Sequence, residues 1–239
     1  MVKKYKKEAS VSYTLGITLT IELLKQKVEY VNRIFVHSKT IKNDAFYLIE
    51  SLCKKHDILI IYNDKVFNIL SDKDNCFIIG EFRKYECALI EDENNIILVN
   101  PANSGNLGTI IRSMVGFDLK QLIIINPAVD IFDPKCIRAS MGAIFHLSFT
   151  HHNSFLDYYN EHKSRNYYPF MLQSSTNICE EKIIEPYSLI FGNEATGLGD
   201  EYLDYGNSLI IKHSKNIDSL NLPIALSIGI YEVTKNKFK

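Results

Sequence analysis

Five polar side chains in the last 140 residues of this 239-residue chain have the types and spacing to act on a sugar or a phosphate. Asn106 and Arg112 lie six residues apart, just after an apolar run and the turn Asn100-Pro-Ala-Asn-Ser-Gly105. A guanidinium there can grip ribose or phosphate oxygens through a fixed fork of donors, and a carboxamide can orient the cation or the sugar. Glu194 stands in Phe191-Gly-Asn-Glu-Ala-Thr-Gly197, where glycines at a strand end let a ligand approach the backbone closely. Ser219 and Asn221 flank Leu220 just before Pro223. Each segment also has a plainer reading. In it Gly105 and Gly108 only shape a helix start, Glu194 sits in a solvated strand-to-helix turn, and Ser219 and Asn221 cap the last helix.

For these residues to act together, the elements carrying them must converge. Periodicity predicts a strand from Ile96 to Val99, a helix ending near Gly116 and a strand from Gln121 to Ile125. That is a βαβ unit, so the sheet should be parallel and largely buried, with ligands bound beyond the carboxyl ends of its strands. Further strands are expected at about 145–150, 167–173, 187–191 and 207–212, and helices at about 134–143, 153–163 and 221–235. The last helix is apolar almost all round from Leu222 to Tyr231, which predicts burial, and Ala225 and Gly229 allow close packing. Upstream the pattern reads helix (about 14–27), strand (Arg33 to His37), helix (about 42–55), strand (Ile58 to Tyr62), short helix (65–70) and strand (76–82), a small α/β unit. The acidic run Glu91-Asp-Glu-Asn-Asn95 marks a junction at about 85–94 and divides the chain into domains 1–88 and 94–239.

Several chemistries lose support. Gly105-x-x-Gly108 lacks the third glycine of a dinucleotide fingerprint, and there is no P-loop. The five cysteines are far apart and never form Cys-x-x-Cys, and the seven histidines have no ligand spacing, so neither a disulfide framework nor a metal is expected. Ser140 and Ser219 lack a nucleophile elbow. No apolar run approaches membrane-spanning length, and a reducing cytoplasm is the expected setting. The net charge of -1 hides an asymmetry: residues 1–90 carry +4 and residues 91–239 carry -5. A nucleic acid would be drawn to the first segment, although a lysine-rich end is as readily just solvated.

Taken together, Asn103-Ser-Gly-Asn-Leu-Gly-Thr-Ile-Ile-Arg112, Phe191 to Gly197, and Ser219-Leu-Asn221 leading into Ile230-Tyr-Glu232 resemble the three motifs of the SpoU (TrmH-like) RNA 2′-O-methyltransferases of the SPOUT superfamily. Arg138-Ala-Ser-Met-Gly-Ala143 also resembles a segment of that family. The resemblance implies an α/β parallel-sheet SPOUT domain with a carboxy-terminal trefoil knot. The small α/β unit before it is similar to the ribosomal-protein-like, RNA-binding domain that many of these enzymes carry. The implied cofactor is S-adenosylmethionine (SAM), contacted by Gly192, Gly197, Ile211 and Leu220. The implied catalytic group is Asn106, Arg112, Glu194, Ser219 and Asn221, with Glu194 orienting Arg112. Arg112 matches an arginine assigned as base in the family, but a guanidinium resists deprotonation, so stabilising a developing alkoxide suits it better. The implied substrate is the ribose 2′-OH of rRNA, or less readily tRNA, and the implied assembly is a homodimer. A non-catalytic RNA-binding or assembly protein of the same fold and a nucleotide-binding Rossmann-like protein are the alternatives. Lys212 and Lys215 replace a Pro and a Gly usual before the third motif, and Pro223 a small residue, so the loop carrying Ile211 and His213 is expected to take its own course.

Overall fold

A computed structural model describes residues 2–71 and 75–238. The chain divides into two compact units, residues 1–85 with 130–146 and residues 86–129 with 147–239.

The first unit runs β1 (Val11–Leu15), α1 (Ile17–Gln26), β2 (Val31–Val36), α2 (Asp44–Lys55), β3 (Leu59–Tyr62), α3 (Asp64–Leu70) and β4 (Ile78–Arg83). Its sheet has the order β1-β4-β2-β3, and only β2 and β3 are parallel. Strand β1 corrects the helix expected from residue 14. Gly16, at φ 125, ends the strand and starts the helix in one residue, a backbone state that side chains with a Cβ avoid. One sheet face buries Ile34, Val36 and Ile78 against Leu24 of α1 and Phe46, Ile49 and Cys53 of α2. The opposite face packs Tyr13, Phe35 and Ile79 with Val66 and Phe67 of α3.

The second unit opens with β5 (Asn95–Val99), α4 (Ser104–Gly116) and β6 (Gln121–Ile125). The chain then lends residues 130–146, including α5 (Pro134–Ala139), to the first unit. There Ser12 Oγ donates to the Phe132 carbonyl, Lys84 Nζ meets Asp130 Oδ2 at 2.6 Å, and Phe82 packs edge-on against Phe132 and Phe145. The uninterrupted 94–239 segment expected from sequence therefore differs from the compact units at these residues, including Arg138 to Ala143.

The second unit continues through β7 (Ser148–His152), α6 (Phe155–Glu161), β8 (Asn166–Pro169), β9 (Tyr187–Phe191) and α7 (Leu222–Thr234). Its sheet, in the order β7-β6-β5-β9-β8, is parallel throughout. Every residue of β5, β6 and β9 is buried, as a parallel sheet covered on both faces requires. Residues 207–212 form no strand; they make only isolated parallel bridges, Phe170 with Leu209 and Asn177 with Ile210. At the opposite, amino-terminal end of the sheet the buried Arg165 gathers the carbonyls of Glu91, Glu93 and Tyr187 and the Ser188 hydroxyl.

Helix α7 is buried through Pro223, Leu226, Gly229, Ile230 and Thr234. A Cβ on Gly229 would lie 3.0 Å from the Phe170 ring, so glycine is what allows this close approach. Ser113 of α4 and Ser227 of α7 share a hydrogen bond of 2.8 Å. Complete burial of α7 is not found, since Ile224, Ile228 and Tyr231 are exposed at spacings of four and three residues, which put them on one face. Among the described residues no helix is long and apolar enough to cross a membrane.

Candidate active site

Strand order reverses between β5 and β9, the place where open α/β sheets bind ligands beyond the strand ends. After β5 the chain turns through Asn100, at φ 52, into Asn103, whose side chain caps α4 by accepting from the N–H groups of Gly105 (2.8 Å) and Asn106 (3.0 Å). After β9 it turns through Gly192–Gly197. A Cβ on Gly192 would lie 2.2 Å from the Gly197 carbonyl carbon, so the loop closes only around glycine. Asn193 holds both sides: its Oδ1 accepts from Ala195 N, and its Nδ2 donates to the Asn100 carbonyl at 2.7 Å.

Glu194 links the two loops. Its Oε2 accepts from Ala102 N at 3.0 Å, and its Oε1 accepts from Asn103 N and Asn106 Nδ2, each at 3.2 Å. A carboxylate suits the amino end of α4, where unpaired N–H groups and the helix dipole favour negative charge. Glu194 therefore orients Asn106 and not Arg112, which corrects the sequence expectation. Six residues of α-helix advance about 9 Å and turn about 240°, so Asn106 and Arg112 cannot share a face. Arg112 is exposed, and among the described residues it has neither a hydrogen bond nor an ion pair.

Beside Glu194 opens a cavity of about 220 Å³. Gly192, Gly197, Ile211 and Leu220 all line it, as do Glu194 and Ser219. His213 also lines it, its Nδ1 placed 2.9 Å from the Ile211 carbonyl oxygen. Asn106, Arg112 and Asn221 lie outside its lining. Neither Ser219 nor Asn221 caps α7 through its side chain, so the capping explanation of the third segment does not hold. Pro223 occupies the first turn of α7, where it needs no N–H partner.

Sequence reasoning missed the apolar wall. Phe170 and Phe191 stack at a centroid distance of 4.3 Å, and with Leu209 and Ala225 they line the same cavity. The apolar ends of β8 and β9 were visible as strands, but nothing in their spacing foretold that the rings meet. The cavity thus has an aromatic and aliphatic wall, glycine-lined backbone that a ligand can approach closely, and a carboxylate at its rim. Those features fit an adenosyl group bearing a cationic centre. Among the described residues no cluster of three His, Cys, Asp or Glu side chains is placed to hold a metal ion.

The comparisons agree with this geometry. The profile of the SpoU rRNA Methylase family matches residues 93–231, more than half of the chain. The chain is 27% identical over 158 residues to the 23S rRNA (uridine(2479)-2'-O)-methyltransferase of Streptomyces viridochromogenes, covering 62% of this chain and 54% of that protein. It is 29% identical over 132 residues to the 23S rRNA (guanosine(2553)-2'-O)-methyltransferase RlmP of Bacillus subtilis (strain 168), covering 54% and 53%. The match thus spans about half the length of these curated relatives. Among solved structures, an rRNA methyltransferase from Sinorhizobium meliloti superposes with a TM-score of 0.83 at 23% identity, covering 97% of this chain and 90% of that one. Its AdoMet-bound form gives 0.82 at 22% identity, covering 96% and 89%. With the three sequence segments gathered at one sheet edge and the family profile spanning them, this chain belongs to the SpoU rRNA Methylase family.

Proposed function

We propose that this protein transfers a methyl group from SAM to a ribose 2′-OH of RNA, with rRNA as the substrate class. The observation that carries the reading is the cavity at the β5/β9 switch point, which joins all four expected cofactor residues to the Glu194–Asn106 pair. The names of the relatives support the substrate class.

Bound SAM supplies an electrophilic methyl on a sulfonium, so the protein's task is to align and activate a hydroxyl. Gly192, Gly197, Ile211 and Leu220 hold the cofactor between backbone and the stacked Phe170 and Phe191. Glu194 fixes Asn106 and the start of α4 by accepting from Ala102 N, Asn103 N and Asn106 Nδ2. Ser219 and Asn221, with no capping duty, are available to the ribose or the cofactor. Arg112, with neither a hydrogen bond nor an ion pair among the described residues, is the cation that stabilises charge building on the 2′-oxygen, and a substrate phosphate or water takes the proton.

Residues 1–88 act as the RNA-binding domain and 94–239 as the SPOUT domain, with α7 threaded through a trefoil knot. The bridges of Leu209 and Ile210 to residues beyond β8, followed by α7 packing on α4, support that path. The apolar stripe Ile224, Ile228 and Tyr231 supports a homodimer through α7. The setting is cytoplasmic. Isothermal titration with SAM, followed by methyl transfer from labelled SAM to total rRNA, tests the reading. Binding and ribose 2′-O-labelling are expected; SAM binding without transfer to any RNA would favour a non-catalytic RNA-binding protein.

A further inference from the structure

The first unit carries a polar row on a sheet face that is otherwise apolar. Alternation along β2 sends Ile34 and Val36 toward α1 and α2, and so sends Arg33 and Phe35 to the opposite face. On that face Tyr13 of β1 stands opposite Glu81 of β4, Glu81 opposite Arg33, and Arg33 opposite Leu59 of β3. The adjoining row is Leu15, Ile79, Phe35 and Ile61, which is wholly apolar. Glu81 is only 5% exposed, and Arg33 engages it with two bonds, Nε to Oε1 at 2.9 Å and Nη2 to Oε2 at 3.0 Å. An apolar pair would stabilise such a row as well as a buried ion pair does. What the pair adds is a cation held in one orientation.

Arg33 is held on a second side, with its guanidinium carbon 5.1 Å from the Phe35 ring centroid. Its side chain is 37% exposed, and Nη1 has no partner among the described residues. Two cavities meet at it. One, of about 360 Å³, is lined by Phe35, Ile61 and Lys65; the other, of about 280 Å³, by Lys3, Lys4, Tyr5 and Tyr13; Val2 and Arg33 line both. A flat guanidinium held in place and partly exposed, with lysines at the rim, matches what unpaired nucleotides need. Their bases stack on aromatic or guanidinium planes and their phosphates seek cations.

We propose that this face binds one or two unpaired nucleotides of RNA, with a base against the partly exposed Arg33 guanidinium, its phosphates on Lys3, Lys4 and Lys65, and Glu81 as the positioning residue for Arg33. The proposal rests on the reading of the chain as an RNA-directed enzyme and gives its first unit a specific contact.

The test uses the full chain and fluorescence anisotropy with a labelled 12-nucleotide single-stranded RNA of mixed sequence, and with the same RNA annealed to its complement. Lys3→Glu with Lys4→Glu should weaken single-strand binding about 10-fold, and Arg33→Lys, which keeps the charge and the ion pair but not the plane, about 5-fold. Lys54→Glu with Lys55→Glu, the same charge reversal on α2 across the sheet, should change it less than about 2-fold. The duplex should discriminate among the variants much less. Wild-type affinity in Arg33→Lys, or equal losses from the α2 pair, would overturn the pocket. SAM titration of each variant separates the two readings: absent SAM binding in the wild type sinks the proposed reaction, while the ranking of RNA affinities still judges this face.

Discussion

In the second unit the three central strands of a five-stranded parallel sheet are buried on both faces, and the polar groups of interest sit on loops beyond β5 and β9. In the first unit a mixed four-stranded sheet carries a charged pair within one face, the buried Glu81 holding a partly exposed Arg33. The contrast follows from strand environment. A strand covered on both sides has no exposed position for a cation, so chemistry moves to the strand ends, where glycines and helix amino termini offer backbone donors. A sheet face that is covered only in part can instead present a single side chain from within a strand, as Arg33 is presented here. Loops suit a reaction that needs converging groups, while a flat face suits a polymer that lies across it.

The contrast can be broken first at Arg112. Because the charge assigned to it by the proposed mechanism exists mainly in the transition state, Arg112→Ala should lower single-turnover methyl transfer about 100-fold and leave SAM affinity unchanged. Near-normal turnover would return Arg112 to the status of a solvated helix residue. Next in size is Gly192→Ala, whose Cβ would collide with the Gly197 backbone. SAM affinity by calorimetry should fall about 10-fold or more, since the loop must open to admit the methyl. Glu194→Gln replaces an acceptor of three bonds with a group that keeps one oxygen. Turnover should drop about 5-fold with a smaller change in SAM affinity, as Asn106 loses its fixed orientation. The smallest effect is expected for Asn103→Ala, which removes the cap of α4 and should cost about 1 kcal/mol in urea unfolding. None of these variants should alter single-strand RNA affinity by as much as Arg33→Lys, if the two units divide the work as their sheets suggest.

Much of the second unit was legible because parallel buried strands are short unbroken apolar runs: β5, β6 and β9 fell where the periodicity put them. The glycine segment around Glu194 was legible for the same reason that it matters, since a Cβ at 192 has no room. Three features were not. Strand β1 abuts α1 with only Gly16 between them, so its five residues merge into the helical pattern. Residues 130–146 pack with the first unit through Phe132, Phe145 and Asp130, contacts spanning 120 residues or more in the cases of Ser12 and Tyr5. The bond between Glu194 and Asn106 joins positions 88 apart, while the six-residue spacing to Arg112 looked like proximity and is a difference of face.

The cavity beside Glu194 also has an order of assembly in time. Its walls come from Phe170 and Gly192 onward, and its final side is supplied by Leu222 and Ala225 of α7. A polypeptide emerging from the ribosome would possess the start of α4 and the Glu194 loop before the residues that complete the pocket. The cavity that would hold a cofactor is therefore complete only with α7 in place.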